Sequence, residues 1–511
     1  VKIKASHFVF LATLLNMLLF GYALYDFVAS HVDLLTLSGL LIGLTVFAVV
    51  FVFNLLFFSL LAVIHPVVLK AFLIVTAPIS ALALYYLVTY QVILDKTMMG
   101  NIFNTRDSEM FDLITPSLFL YVFLLGVVPC WLLLKVRLVP LERGKILRNL
   151  AIVFPLFLLF LYLNSSSWLW IDKYSKLLGG KILPWAYIVN TMAYYSEQAR
   201  SVENQVLLPK GTFANDDKMV VVLIIGETAR AHNFSLLGYP RETNPLLKKA
   251  GVAVLKNTTS CTTYTTGSLA CILSHDVNAS NAEPLPSYLQ RLGVDVIWRT
   301  TNWGEPPIKV GEYQSGGALR GECKGSGCNF DEVLLTNLTQ RIQASDKQKV
   351  LVVLHTKGSH GPSYYSRYPD EFEKFVPVCR YEEISKCSEQ ELINAYDNTI
   401  VYTDYFLNRA IDQLKALQHV PVLMLYISDH GESLGEGGLY LHGTPYLFAP
   451  DYQKKIPFIA WLSDAFSEQK GKEVSDMTGR DDYSQLNVFH TVVGAFDLQT
   501  EVYNSRLDLL H

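Results

Sequence analysis

The sequence predicts two architectures in one chain: a five-helix transmembrane domain, then an α/β domain built on a mainly parallel sheet. Three observations lead there. At 511 residues the chain is too long for one ordinary domain. Its first 170 residues are overwhelmingly apolar, whereas the remainder has the composition of a water-soluble protein. In that remainder, β-branched apolar runs alternate with helical patterns, as strands joined by helical crossovers do.

A helix needs about 20 apolar residues to cross the hydrocarbon core of a bilayer. Five stretches meet this, at roughly 8–28, 37–64, 67–94, 116–136 and 149–168. Pro66 separates the second from the third, since proline can start a helix but not continue one. Pro155 sits inside the fifth, where a lipid-embedded helix tolerates it. Orientation follows from the basic residues. Lys2 and Lys4 precede the first span, and "KVRLVPLERGKILR" between the fourth and fifth carries Lys135, Arg137, Arg143, Lys145 and Arg148 against Glu142 alone. Both belong on the cytoplasmic side, so an odd number of spans delivers the soluble half to the opposite side. The first span is too long for a signal-peptide core and is expected to be retained. After the fifth span come "SSSWLWIDKYSKLLGGKILPWAYIVNTMAYYSEQAR", whose mixed Trp, Tyr and Lys suit an interfacial helix, and the polar linker "GTFANDDK". The expected domains are therefore 1–170 (transmembrane), 171–215 (interfacial helix and linker) and 216–511 (soluble).

The charge balance, 42 basic against 46 acidic residues, argues against a nucleic-acid partner. Cys130 lies in the apolar half, and the other six cysteines fall in the polar half as close pairs: Cys261 with Cys271, Cys323 with Cys328, Cys379 with Cys387. Three local disulfides are the simplest of the possible connectivities, and they imply an oxidising compartment. No C-x-x-C repeat suggests a structural zinc site of thiolates.

The runs "KMVVVLIIGET", "GVDVIWRTTNW", "KVLVVLHTKGSHG" and "VPVLMLYISDHGE" each have the pattern of a fully buried strand. In open α/β sheets, sites form beyond the carboxyl ends of strands. Those ends carry Glu227 and Thr228, then His355 with His360 behind it, then Asp429, His430 and Glu432, with His442 twelve residues after His430. Singly, each suits a structural hydrogen bond; together they suit a divalent metal, zinc being the commonest fit for mixed Asp, Glu and His. The segment "SCTTYTTGSLAC" sets Thr262, Thr263, Thr265, Thr266 and Ser268 inside one cysteine-bounded loop. A free threonine hydroxyl is a poor nucleophile, but metal coordination, which takes water from a pKa of about 15.7 to about 7, would activate it. A solvated or O-glycosylated threonine-rich loop is the plainer alternative.

With "GETAR", "SCTTYTTGSLAC", "GSHGP", "SDHGESLGE" and "LHGTP" in this order, the chain resembles the lipid A phosphoethanolamine transferases of the alkaline phosphatase and sulfatase superfamily. The resemblance runs over essentially the whole chain. It implies an alkaline phosphatase/sulfatase-like catalytic domain in the periplasm, carried by a multi-pass anchor in a bacterial inner membrane. It implies Zn2+, one ion tightly bound and a second left open, held by Glu227, Thr265, Asp429 and His430. Thr265 would be the nucleophile, with Thr266 as its rival, because here "TTYTTG" departs from the usual family wording. His360 and His442 match histidines that bind phosphate or a second zinc, and His355 a further one nearby. In "NIFNTRDSE", Asn101, Thr105 and Glu109 are spaced to share one helical face and match a site for the donor head group, with Glu109 as partner for an ammonium. Lys309, in "NWGEPPIK", is a weaker match to a phosphate contact. The implied donor is phosphatidylethanolamine, the acceptor lipid A or another envelope molecule, the protein a monomer, and the intermediate a phosphothreonine. A phosphoglycerol transferase of the same superfamily is the nearest rival, against which Glu109 argues because glycerol offers no cation. A sulfatase is disfavoured by the lack of a C-x-P-x-R segment.

Overall fold

A computed structural model describes residues 2–104, 114–139, 143–203, 205–279, 281–381 and 384–511. Two compact units result. One comprises the residues up to Phe103 together with Ile114–Tyr195, and the other Ser196–His511.

In the first unit, Leu37–Ile64, Pro66–Thr89 and Pro116–Lys135 are each long and apolar enough to cross a membrane. Thr36 starts the first of these by accepting the Gly39 N–H, and His65 with Pro66 starts the second. Pro78 lies within Pro66–Thr89, and Gly126 packs on it so closely that an added Cβ would sit 2.9 Å from the Pro78 Cα. The stretch 8–28 is not one straight helix: Ala5–Phe20 and Tyr22–His31 meet at Gly21 with a bend of 63°. The stretch 67–94 also departs from expectation. Its helix stops at Thr89, Gln91 takes a positive φ of 54°, and the Leu94 N–H donates to the Gly180 carbonyl. The fifth apolar stretch lies in the helix Arg143–Leu163, whose apolar part is Ala151–Leu163. Among the described residues, then, three helices meet the length and composition of a span, or four if the bent pair is one span.

The second unit is built on a seven-stranded sheet in the order Ala253–Val254, Phe458–Leu462, Val422–Ser428, Met219–Gly226, Lys349–His355, Asp295–Thr300, Glu312–Ser315. The four pairings from Val422–Ser428 to Glu312–Ser315 are parallel, and the two at the other edge antiparallel. Every residue of Met219–Gly226, Lys349–His355 and Val422–Ser428 is buried, as expected of strands covered on both faces. Covering elements include the helix Glu389–Lys415, opened by a capping box between Ser388 and Glu391. On the other face Leu269, Ile272, Phe489 and Val493 join the sheet in one core.

The three local cysteine pairs are joined as disulfides, and Cys130 is free. Changing both Cys261 and Cys271 to serine removes a cross-link and should lower the stability of this unit by about 3 kcal/mol. The readout is the thermal unfolding midpoint of the purified full chain; an unchanged midpoint would mean that other contacts hold the loop.

Candidate active site

The central strands are in register so that Ser428 pairs with Gly226. The next residue on each strand therefore emerges at the same sheet edge, which brings Glu227 beside Asp429 and His430. Glu227, Asp429 and His430 are all fully buried. Thr228, just beyond, holds a positive φ of 50°, a costly conformation for a β-branched residue. It is fixed from both sides: its N–H donates to Asp429 Oδ1 at 3.0 Å, and its carbonyl accepts from the Tyr396 hydroxyl at 2.6 Å.

Thr265 opens the helix Thr265–Ile272 and is itself buried. Its Oγ1 lies 3.3 and 3.4 Å from the two Glu227 oxygens and 3.4 Å from His430 Nε2. His430 Nε2 is also 3.5 Å from Glu227 Oε1 and 3.2 Å from Asp429 Oδ2. For hydroxyl hydrogen bonds, distances above 3.2 Å are long. They match instead the edge of about 3.3 Å of a tetrahedron whose metal–ligand bonds are about 2.0–2.1 Å. Asp429 Oδ1 accepts from the N–H groups of Thr228 and His430, but the buried Oδ2 has no hydrogen-bond partner. His430 Nδ1 lies 2.9 Å from the Gly431 carbonyl, which places the proton there and leaves the Nε2 lone pair for a metal. Burial drives the Asp429 carboxyl up and the His430 imidazolium down, so neither charged form is comfortable alone. Two buried carboxylates, a neutral imidazole and a hydroxyl fit a divalent cation, and Glu227, His430 and His442 can each offer a ligand atom within 4.8 Å of the others.

His442 and His360 flank this cluster. The His442 ring lies 4.3 Å from that of His430 and 5.6 Å from that of His360. Burial, then the neighbouring His442, holds His360 well below its usual range, so it is neutral. His355 is fully buried at its strand end but packs beside Thr300 and Trp298, with Glu305 3.9 Å away. Lys309 is exposed, and its backbone N–H donates to Ser287; its side chain is not brought to the cluster among the described residues. Asn101 lies on the helix Lys96–Asn104 of the membrane unit, whereas Thr105 and Glu109 fall outside the described residues.

The sequence of the soluble unit matches the sulfatase family over residues 219–498, and residues 49–199 match the family described as phosphoethanolamine transferase EptA/EptB. The phosphoethanolamine transferase EptA of Helicobacter pylori is 37% identical, over 98% of this chain and 96% of that protein. The chain belongs to the EptA family of phosphoethanolamine transferases. It is a transferase enzyme with a membrane unit and a soluble catalytic unit. The fold agrees over its full length with the lipooligosaccharide phosphoethanolamine transferase EptA of Neisseria meningitidis, at a TM-score of 0.89 and 30% identity, covering 100% of this chain and 99% of that one. The periplasmic domain of EptC from Campylobacter jejuni is 40% identical at a TM-score of 0.52, covering 58% of this chain and 94% of that domain.

Within this EptA-family chain, two supporting residues, Asn302 and Gln485, escaped the sequence reading, and a third, Glu432, was named at its strand end without a role of its own. Asn302 donates to Glu227 Oε2 at 2.7 Å and so orients the carboxylate. Glu432 Oε1 lies 3.1 Å from His442 Nδ1 and fixes that ring. Gln485 is fully buried; its Nε2 donates to the carbonyls of Ser428 and Asp429, and its Oε1 accepts from the Cys261 N–H at 2.8 Å. One amide thus ties the threonine loop to the strand end that carries Asp429. Asn302 and Gln485 carry no local signal in the sequence.

Changing Glu227 to Gln should reduce bound divalent metal to a small fraction of stoichiometric, measured by elemental analysis of the purified full chain. Full occupancy in that variant would remove Glu227 from the ligand set. Changing Gln485 to Ala leaves two buried carbonyls and one N–H unsatisfied, and should cost about 1–3 kcal/mol of stability. It should also lower transferase activity severalfold, whereas unaltered activity would mean that the loop keeps its place without the clamp.

Proposed function

We propose that this enzyme transfers phosphoethanolamine from phosphatidylethanolamine to lipid A or another envelope acceptor, through a covalent intermediate on Thr265. The observation that carries the reading is the placing of Thr265 Oγ1 at 3.3–3.4 Å from Glu227 and His430, in a buried cluster whose edges have the length of a zinc tetrahedron. No comparable contact is made by Thr266 among the described residues, which favours Thr265 of the two.

Glu227, Asp429, His430 and Thr265 would hold Zn2+, which when bound supplies a Lewis acid that makes the threonine hydroxyl acidic and offsets charge on the phosphoryl oxygens. In the first step Thr265 Oγ1 forms a bond to phosphorus, and the bond from phosphorus to the diacylglycerol oxygen breaks. Glu227 Oε1, at 3.3 Å, is the nearest acceptor for the hydroxyl proton. The departing oxygen takes a proton from His442, whose ring Glu432 holds in place. His360 and His442 donate to the non-bridging oxygens. In the second step an acceptor oxygen bonds to phosphorus and the bond from phosphorus to Thr265 Oγ1 breaks; the acceptor's proton returns to His442, and Oγ1 takes its own back from Glu227. Asn101, Thr105 and Glu109 are the proposed head-group contacts, a carboxylate being the natural partner of the ethanolamine ammonium. His355 and Lys309 stand behind these as weaker substrate contacts.

The proposed setting is a bacterial inner membrane, with the catalytic unit in the periplasm and the protein acting as a monomer. Three disulfides call for an oxidising compartment, and the basic residues around the first and fourth spans call for the cytoplasm at the other end.

Intact-protein mass spectrometry after incubation with phosphatidylethanolamine tests the donor and the nucleophile together. Wild type and Thr266→Ala should gain one phosphoethanolamine, and Thr265→Ala none. Labelling of Thr265→Ala but not of Thr266→Ala would move the nucleophile by one residue. Labelling by phosphatidylglycerol in place of phosphatidylethanolamine would turn the reading toward a phosphoglycerol transferase.

A further inference from the structure

The membrane unit contains a half-open groove of about 480 Å³ that plays no part in the reaction described above. It lies where Leu37–Ile64 gives way to Pro66–Thr89, beside the end of Pro116–Lys135 and the short strand Arg137–Val139. Val63, Val67 and Leu138 contribute apolar wall, and the polar lining is His65, Lys70 and Arg137. Among the described residues, no carboxylate lines it.

Each of the three basic side chains has a donor to spare. The Lys70 ammonium donates to the carbonyls of Leu134 at 3.2 Å and Val136 at 3.0 Å, groups at a helix end without intrahelical partners. That anchors the charge at the groove and uses two of its three N–H bonds. His65 Nδ1 accepts from the Val67 N–H at 3.2 Å, so the ring proton is on Nε2 and can be donated. Arg137 is exposed and has no ion-pair partner among the described residues, leaving its planar fork of donors for a ligand.

A second observation points the same way. Strand Lys2–Lys4 pairs in parallel with Arg137–Val139, and the register sets Lys2 opposite Arg137. Like charges facing each other across a ladder destabilise it. A shared anion reverses the sign of that term.

We infer that this groove holds the head group of one anionic phospholipid, its phosphodiester at Lys70, Arg137 and His65 and its glycerol and first acyl carbons against Val63, Val67 and Leu138. The volume is within the range of about 300–1,000 Å³ usual for small-molecule sites. A free phosphate ion would leave the apolar wall unused. A zwitterionic lipid such as the proposed donor would bring an ammonium among cations with no carboxylate to receive it. The groove thus selects by net charge, and basic pockets between membrane helices bind anionic head groups by the same means. The inference rests on the unit being embedded in a membrane and is independent of the reaction proposed for the soluble unit.

Native mass spectrometry of the full chain in detergent provides the test, with phosphatidylglycerol, phosphatidylethanolamine or inorganic phosphate added in turn. Wild type should retain one phosphatidylglycerol and bind phosphatidylethanolamine at least about tenfold more weakly. Arg137→Glu should reduce phosphatidylglycerol retention about tenfold or more, and Arg137→Lys should largely restore it. Size-exclusion chromatography and the thermal midpoint report whether each variant is folded, and the exposure of Arg137 favours that. Equal retention of the two lipids, or full retention by a folded Arg137→Glu, would overturn the site. Displacement of the lipid by millimolar inorganic phosphate would make the occupant a soluble anion and overturn the lipid assignment.

Discussion

Two buried carboxylates side by side are the constraint on which the catalytic unit depends. Glu227 and Asp429 leave neighbouring parallel strands at the same register and are wholly removed from water. Desolvation opposes the ionisation of Asp429 and pushes its carboxyl up. The fold supplies only part of what such groups require. Asn302 satisfies one Glu227 oxygen, and two backbone N–H groups satisfy one Asp429 oxygen, while Asp429 Oδ2 is left over. A cation at the centre would complete the arrangement, and His430 Nε2 and Thr265 Oγ1 lie 3.3–3.5 Å from Glu227, where they could share it.

The other hydroxyls in the threonine loop answer to a different need. Thr263 Oγ1 donates to the Thr444 carbonyl at 2.6 Å, and the Gly443 N–H returns a bond to the Thr263 carbonyl at 2.8 Å. Thr262 Oγ1 bonds the Tyr264 carbonyl and lies 2.9 Å from Ser268 Oγ. These contacts bind the loop to the segment after His442 and to its own helix start. The disulfide and Gln485 hold its other side. A loop fastened in so many directions loses little freedom when a substrate arrives, which is how a nucleophile is kept at reacting distance. The Thr265 hydroxyl is the proposed nucleophile, and its neighbours hold the loop that carries it.

How much of this was legible in the sequence follows from how local each determinant is. Buried parallel strands read as continuous apolar runs, and sites in such sheets lie just past strand ends, so Glu227, Asp429 and His430 could be named without coordinates. The offset within the cysteine-bounded loop, taken with the family resemblance, pointed at Thr265, and the structure sets that side chain against Glu227. Gln485 was invisible because its partners lie 57 and 224 positions away and no pattern surrounds it. The membrane unit shows the opposite failure. Hydropathy responds to composition, and "YLVTYQVILD" stays apolar beyond Thr89, so the end of the helix at a left-handed Gln91 leaves no trace in it. The 63° bend at Gly21 is hidden for the same reason.

The proposed cation site and the proposed anion groove differ in the state of their protein groups before anything binds. In the carboxylate cluster the groups are already stripped of water by folding, so a cation gains their full attraction without a further desolvation cost from the protein side. Such a site should bind tightly and lend stability to the folded unit, since metal affinity for the native state alone adds directly to its free energy. In the basic groove Arg137 is exposed, and an arriving anion must displace water and counterions from it. Binding there is bound to be weaker, sensitive to salt, and set by the lipids that surround the membrane unit. The distinction follows from burial alone: fully enclosed Asp429 and His430 would hold a cation tightly, whereas at the exposed Arg137 an anion would compete with water and salt.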